Sequence, residues 1–243
     1  MSLNYRNIIY NNYHTTQSGR SQNVKKLISA QSAFFQKEII PLLPPERSSA
    51  ILDIGAGNGS FLLACKSNGY RNIQGVDLSQ EQIVQAKNHG IDCIELANAI
   101  DWLTNNTKQF YVITAIDLVE HLTKDEITVL LPLIRKNLNP QGLFIFRTPN
   151  LDCPLPNPYA RGDFSHETFL NKHSATQLLL AIGFSNIQIK PGLVFMVNPF
   201  KEFTRKLVMG ILVVKFKLKL FAFGYASKDI LISPNLIAIG SKS

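Results

Sequence analysis

Two carboxylates and three glycines form the sharpest chemical pattern in the chain. Asp53 opens the run DIGAGNG behind the apolar pair Ile51 and Leu52, and Asp77 ends the next apolar run in GVDLS. Gly55, Gly57 and Gly59 let the backbone turn tightly and approach a ligand with no Cβ in the way. A carboxylate at the end of the second strand can accept both hydroxyls of a ribose. Asp53 would repel a pyrophosphate but favour a ligand bearing an amino group. The pair therefore suits a nucleoside that carries an amino acid tail. The P-loop pattern with its Lys and Ser/Thr is absent, which disfavours an ATPase.

A second group, Asp163, His166 and Glu167, lies in ARGDFSHETF. A histidine with an ordinary pKa near 6.5 is mostly neutral at pH 7 and can take a proton. Asp163 or Glu167 could fix its tautomer. The competing structural reading makes these polar groups the cap of the following helix, with Ser165 as N-cap. Asp117, Glu120 and His121 in IDLVEHL form a third group, with His121 a second candidate at the substrate mouth. Tyr159, Arg161 and Lys172 could contact an anionic, polyhydroxylated substrate. His89 and His173 read as solvated helix positions.

These groups need a frame. Val24, Leu27, Ile28, Phe34, Phe35 and Ile39 recur at helical spacing, predicting a helix over 22–40 that the prolines at 41, 44 and 45 stop. From residue 50, apolar runs alternate with helical stretches. SAILDIG, NIQGVDLS, DCIELAN, QFYVITAIDLVEHL and LFIFRTPN read as strands. GSFLLACKSNG, QEQIVQAKNHG and the run from Thr123 to NPQG, itself a turn, read as helix. This rhythm predicts a mostly parallel sheet with helices on both faces. Residues 151–172 hold three prolines and read as an insert over the carboxyl edge of the sheet. A helix HSATQLLLAIGF, a strand SNIQIKP and a last strand LIAIGS follow. The organisation expected is an N-terminal helical region, 1–48, and one α/β domain, 49–243.

The chain resembles the class I S-adenosylmethionine-dependent methyltransferases over roughly residues 30–190. The resemblance implies a Rossmann-like fold and S-adenosylmethionine as cofactor. It implies a cofactor site of Asp53, Gly55, Ala56, Gly57, Asn58, Gly59 and Asp77, with Leu78 packed on the adenine. Asn98 stands where relatives usually carry an acid; it or the Ala99 backbone would bond the adenine. Asp117 and Leu118 would lie near the methionine portion. Relatives that methylate quinone precursors hold a divalent metal with an acid-x-x-Glu-His cluster, which Asp117, Glu120 and His121 match in spacing. The same sequence is common in relatives read as metal-free, and no metal is expected here. The insert more loosely resembles a subgroup that methylates nucleotide- or lipid-linked sugars, so O-methylation of a sugar or other small hydroxylated substrate is expected. A quinone precursor or natural product is the alternative acceptor. Asp77 would also suit NAD, but Asp53 and the VEHL run argue against an NAD-dependent oxidoreductase.

Charge divides the chain unevenly. Its net value is +8, yet residues 51–150 carry eight basic and ten acidic groups while 201–243 carry eight and two. A uniformly basic nucleic-acid face is excluded by that distribution, and no N-P-P-Y-type motif is present. Between Lys201 and Lys228, seven basic groups and one acid are interspersed with Phe and Leu. Neither a strand nor a helix period runs through the whole stretch. It reads as part of a 193–228 lid or surface segment, with peripheral membrane contact or a homodimer as its partners; the competing structural reading is an ordinary packed helix with snorkelling lysines. Three scattered cysteines and the lack of a signal peptide predict a reducing, cytoplasmic location, with peripheral contact at the inner face of the membrane.

Overall fold

The computed structural model describes residues 31–153, 158–196, 198–225 and 230–243, together with Ile9. Its centre is a seven-stranded sheet made of β1 (Ile51–Ile54), β2 (Ile73–Asp77), β3 (Ile94–Leu96), β4 (Phe110–Ile116), β5 (Leu138–Pro149), β6 (Ser185–Gly192) and β7 (Asn235–Ser241). The order across the sheet is β3-β2-β1-β4-β5-β7-β6. Strands β1 to β5 pair in parallel, and β7 runs antiparallel to both β5 and β6. The expected Rossmann-like α/β fold is therefore present.

The middle strands are apolar on both faces because both faces are covered. Leu52, Ile54, Phe144 and Phe146 point to one side, under α3 (Ala99–Asn105), α4 (Lys124–Asn137) and α6 (Lys172–Ile182). Ile51, Val112, Ile145 and Ile237 point to the other, under α1 (Ser60–Ser67), α2 (Gln80–Asn88) and the N-terminal segment. That segment is helical over residues 31–34, widens to a π-helical turn at Phe35–Ile39 and tightens to a 3-10 turn at Ile40–Leu42 before the prolines end it. The first part of the predicted 22–40 helix lies outside the described residues. α4 carries a full capping box, Thr123 with Glu126, which fixes where the chain leaves the site and enters the helix.

Three local expectations are corrected. NPQG is not a turn between elements: β5 starts at Leu138, opposite Phe110, and the strand pair shifts register across this stretch, with Gln141 at φ 62°. The cap of α6 is Asn171, paired reciprocally with Ser174, and not Ser165. Residues Pro199–Ala222 form one continuous helix, α7. The local alternation KFKLKL hid a longer spacing of three and four that runs through it. The 151–172 insert holds a short helix, α5 (Pro158–Arg161), and returns along the sheet by a bridge between Asn150 and Leu170.

Candidate active site

The first part of the site is backbone. After β1 the chain turns through Gly55, Gly57 and Gly59 at φ of 70°, 52° and 74°, a region that side chains disfavour. A Cβ on Gly55 would lie 2.9 Å from Leu118 Cδ1, so this glycine lets the loop sit against the segment after β4. A Cβ on Gly57 would meet nothing nearer than Gln82 Oε1 at 4.0 Å, so the loop faces open space there. Asp77 frames that space: its carboxylate accepts from the Gly57 amide and the Ser79 amide, both at 2.7 Å. Burial raises its pKa, and these amides work against the rise. Asn58 caps the start of α1 through Ser60, and Ala56 packs into the core. Leu78 is 57% exposed at the same strand end, so it is not a core leucine. Asn98 uses its side-chain oxygen to cap α3, which Ala99 opens.

Asp53 departs from the expectation that it would face a ligand directly. It is buried between β1 and β4, where the Thr114 hydroxyl donates to it at 2.6 Å. Burial raises its pKa to about 7, the Thr114 bond opposes that, and the charge of Asp77 adds to it.

The second part is a knot of side chains from distant segments. The amides of Glu167 and Thr168 both donate to the Glu120 carbonyl, at 2.7 and 3.1 Å, and tie the insert to the end of β4. This brings the His121 and His166 rings edge to face, 4.6 Å between centroids. Asp163 accepts from the Ser165 hydroxyl at 2.6 Å, so Ser165 Oγ accepts from His121 Nδ1 at 2.9 Å. His166 Nδ1 donates to the Ala160 carbonyl at 2.9 Å. Both imidazoles are thus held as Nδ1–H tautomers with Nε2 carrying the lone pair. The tautomer of His166 is set by Ala160 and not by Asp163 or Glu167. Asp163 Oδ2 stands 3.8 Å from His166 Nε2, and Glu167 is exposed.

Electrostatics separate the two histidines. Burial, then repulsion from His166, lowers the His121 pKa to about 4, so this ring stays neutral. Burial works to raise Asp163, but the Ser165 hydroxyl and amide and the two imidazoles outweigh it and hold the carboxyl low. Glu120 is pushed well up by burial and by Asp117. Its Oε2 is buried with no hydrogen-bond partner. One ligand atom each from Glu120, His121 and His166 lie within 4.8 Å of one another, so the three could hold a metal ion. Asp117 does not join them. It sits at φ 55° and pairs with Arg147, which donates to it through both Nε and Nη2. The spacing of Asp117, Glu120 and His121 therefore suggested a different trio from the one the fold assembles.

Arg147 was not singled out by the sequence. Its guanidinium lies 4.2 Å over the Phe34 ring, so the N-terminal segment braces the site as well. The signal was available: FIFRTP places one cation inside an otherwise apolar strand. Arg161 is exposed at the end of α5, and Lys172 opens α6. The side chain of Tyr159 lies outside the described residues. Trp102 packs beside Phe110 and donates to Glu95 at 2.9 Å, as a structural residue does.

Comparison with known proteins agrees with this geometry. A family model described as methyltransferase domain matches residues 27–189. The mitochondrial ubiquinone biosynthesis O-methyltransferase of Saccharomyces cerevisiae is 32% identical over 124 residues, which cover 48% of this chain and 39% of that protein. The chain thus spans well under half the length of this curated relative. An S-adenosylmethionine-dependent methyltransferase from Archaeoglobus fulgidus superposes with a TM-score of 0.69 at 19% identity, over 95% of this chain and 99% of that one. A possible histamine N-methyltransferase from Thermotoga maritima gives 0.61 at 15% identity, over 98% and 99%.

Proposed function

Because the chain belongs to the methyltransferase-domain family, we propose that it moves the methyl group of S-adenosylmethionine to a hydroxyl oxygen of a sugar or other small polyhydroxylated acceptor. The residues present fit that cofactor. In this reading the open space over Gly57 would admit the nucleoside, the Asp77 carboxylate at the strand end would take its ribose, and the exposed Leu78 would offer an apolar surface to the adenine. Asn98 and Ala99 stand beyond β3 for the adenine edge, and Asp117 and Leu118 beside the loop for the methionine end.

When bound, the cofactor supplies an electrophilic methyl on a sulfonium, a good leaving group. The protein must align a hydroxyl with that methyl and take its proton. His166 is the residue for this task, since Ala160 holds its Nδ1 and leaves the Nε2 lone pair to receive the proton. With the cofactor bound, the methyl would go to the acceptor oxygen, the sulfonium would leave as a neutral thioether, and His166 Nε2 would take the hydroxyl proton. Asp163, low in pKa and 3.8 Å away, stabilises the imidazolium that results. His121 stays neutral beside it, Ser165 holds its orientation, and Arg161 and Lys172 bind anionic groups of the acceptor. The observation that carries this reading is the His121–His166 pair, each ring anchored through Nδ1. Its test is turnover of labelled cofactor against a panel of nucleotide sugars, lipid-linked sugars and small phenols. No methylated oxygen from any hydroxylated acceptor would overturn it.

The trio Glu120, His121 and His166 supports a second reading, methylation of a phenolic quinone precursor with a divalent ion at those three residues. The two readings diverge under chelation. Unchanged turnover after removal of tightly bound ions favours the metal-free base, whereas loss that zinc or magnesium restores favours the second.

A further inference from the structure

The geometry points to α7 as a surface helix that lies flat on an anionic lipid bilayer. At 3.6 residues per turn, Phe200, Phe203, Leu207, Ile211, Val214, Leu218 and Phe221 fall in one stripe, separated by steps of three and four. Every one of them faces solvent, with exposures from 59% to 82%. The helix turns a different row inward: Glu202, Arg205, Met209, Val213, Phe216 and Leu220 are all partly or fully buried. Its attachment to the molecule and its outer apolar stripe are therefore separate. An exposed apolar surface running about 36 Å, the length of 24 helical residues, marks an interaction site.

Charge identifies the occupant. Lys206 and Lys217 border the stripe on one side, and Lys201, Lys215 and Lys219 on the other. Lysine stems can lie along the apolar boundary while the ammonium groups reach lipid phosphates. The helix has one acid, Glu202, which is on the inward row and is held by Arg205 at 2.7 and 2.8 Å. A second copy of the chain meeting this face through a two-fold axis would set lysine rows against lysine rows with no acid to answer them. A nucleic acid would answer the lysines but leave the apolar stripe in water. An anionic bilayer answers both. Among the described residues no helix is long and apolar enough to cross a membrane, so the helix lies in the interface.

The topology places this contact beside the site. Asn235, at the start of β7, pairs with both Gly192 and Pro149, at the carboxyl ends of β6 and β5. Both ends of the connection that contains α7 thus leave from the edge where the glycine loop and the histidines lie. Docking would hold that edge near the lipid headgroups, where an acceptor on a lipid carrier would be met. The docking does not rest on the proposed reaction. Affinity for S-adenosylmethionine, measured without vesicles, reports on the cofactor site separately.

Co-sedimentation with phosphatidylcholine vesicles holding about 30% phosphatidylglycerol, and with phosphatidylcholine alone, is the experiment. The protein should pellet with the anionic vesicles at low salt, and binding should fall more than tenfold when salt shortens the Debye length to about 3 Å. Each near-surface lysine adds about fivefold to partitioning at low salt. Substituting Lys206, Lys215, Lys217 and Lys219 together by Gln should therefore cost more than tenfold. The triple variant Leu207→Glu, Ile211→Glu and Leu218→Glu should also lose binding. All of these side chains are exposed, so unchanged cofactor affinity and circular dichroism are expected in both variants and would show that the fold is intact. Protein that stays in the supernatant with anionic vesicles at low salt overturns the proposal. So does equal binding to neutral vesicles, or a lipid-free dimer, seen by sedimentation equilibrium, that the three glutamates dissociate.

Discussion

The two halves of the site are made in different ways. On the proposed cofactor side, at the ends of β1 and β2, the work falls mainly to backbone: three glycines at positive φ, with a carboxylate that holds two amides. On the proposed acceptor side, at the ends of β4 and β5, it falls to side chains brought from three segments. Asp163, Ser165 and His166 come from the insert, Glu120 and His121 from the turn after β4, and Arg147 from β5. A backbone cradle depends on local conformation, so it tolerates distant change. A side-chain knot depends on every strand and loop that delivers a member, so it can be altered one residue at a time while the fold persists. One framework can therefore keep its cofactor and change its substrate.

The contrast is broken most sharply by His166→Ala. Loss of the proposed base should lower turnover by about 10²–10⁴ while cofactor affinity stays near normal. Near-normal turnover on the true acceptor would move the role to His121 or remove the need for a base. Asp77→Ala should do the reverse. It removes the acceptor for the Gly57 amide and the proposed ribose contact, so calorimetry should show cofactor affinity weakened by about 1.5–3 kcal/mol. A folded Asp77→Ala protein with unchanged affinity would defeat the ribose assignment. Ser165→Ala tests the knot itself. It leaves His121 Nδ1–H and the Asp163 carboxylate without their buried link, which should cost about 1–3 kcal/mol of stability and lower the melting temperature by several degrees. An unchanged melt would mean that the link contributes nothing.

How much of this could be read from the sequence follows the same division. The strands, the loop glycines and Asp77 were legible because apolar runs, turn glycines and a strand-end acid each show within a short stretch of sequence. The Asp117, Glu120 and His121 spacing was legible too, but the fold gathers Glu120 and His121 with His166 instead of Asp117. A chain pattern cannot show that Arg147, thirty residues on, pairs with Asp117 or that an amide of the insert draws His166 into the vacated place. Asp53 looked like a ligand contact because its burial depends on Thr114 of a neighbouring strand. α7 was obscured for a different reason. Three lysines alternating with apolar residues imitate a strand over six positions, and only the longer run from Phe200 to Phe221 reveals the helical period.

Asp53 sharpens the comparison, since it is a side chain placed under the backbone half. With a pKa raised to about 7 by burial, it is mostly protonated at pH 6 and mostly ionised at pH 8. S-adenosylmethionine carries a sulfonium and an ammonium, and a cation over the loop favours the ionised carboxylate. Affinity should therefore rise with pH across this range, to at most about tenfold, the ratio of ionised populations expected for one group titrating near 7. Binding near pH 7 should release protons, seen as a calorimetric enthalpy that changes with the ionisation enthalpy of the buffer. The demethylated product keeps only the ammonium, so its pH dependence should be shallower. Asp53→Asn retains an oxygen to accept from Thr114 but cannot ionise, and its affinity should be flat with pH and low throughout. Stability moves in the opposite sense. An acid whose folded pKa exceeds its unfolded value makes the free protein less stable as pH rises from about 4 to about 7, a penalty that then persists at higher pH. The asparagine variant lacks that penalty, so at pH 8 it should melt higher than the wild type while binding the cofactor more weakly. A wild-type affinity that is flat between pH 6 and 8 would place Asp53 in the scaffold alone and leave Asp77 as the cradle's acting carboxylate.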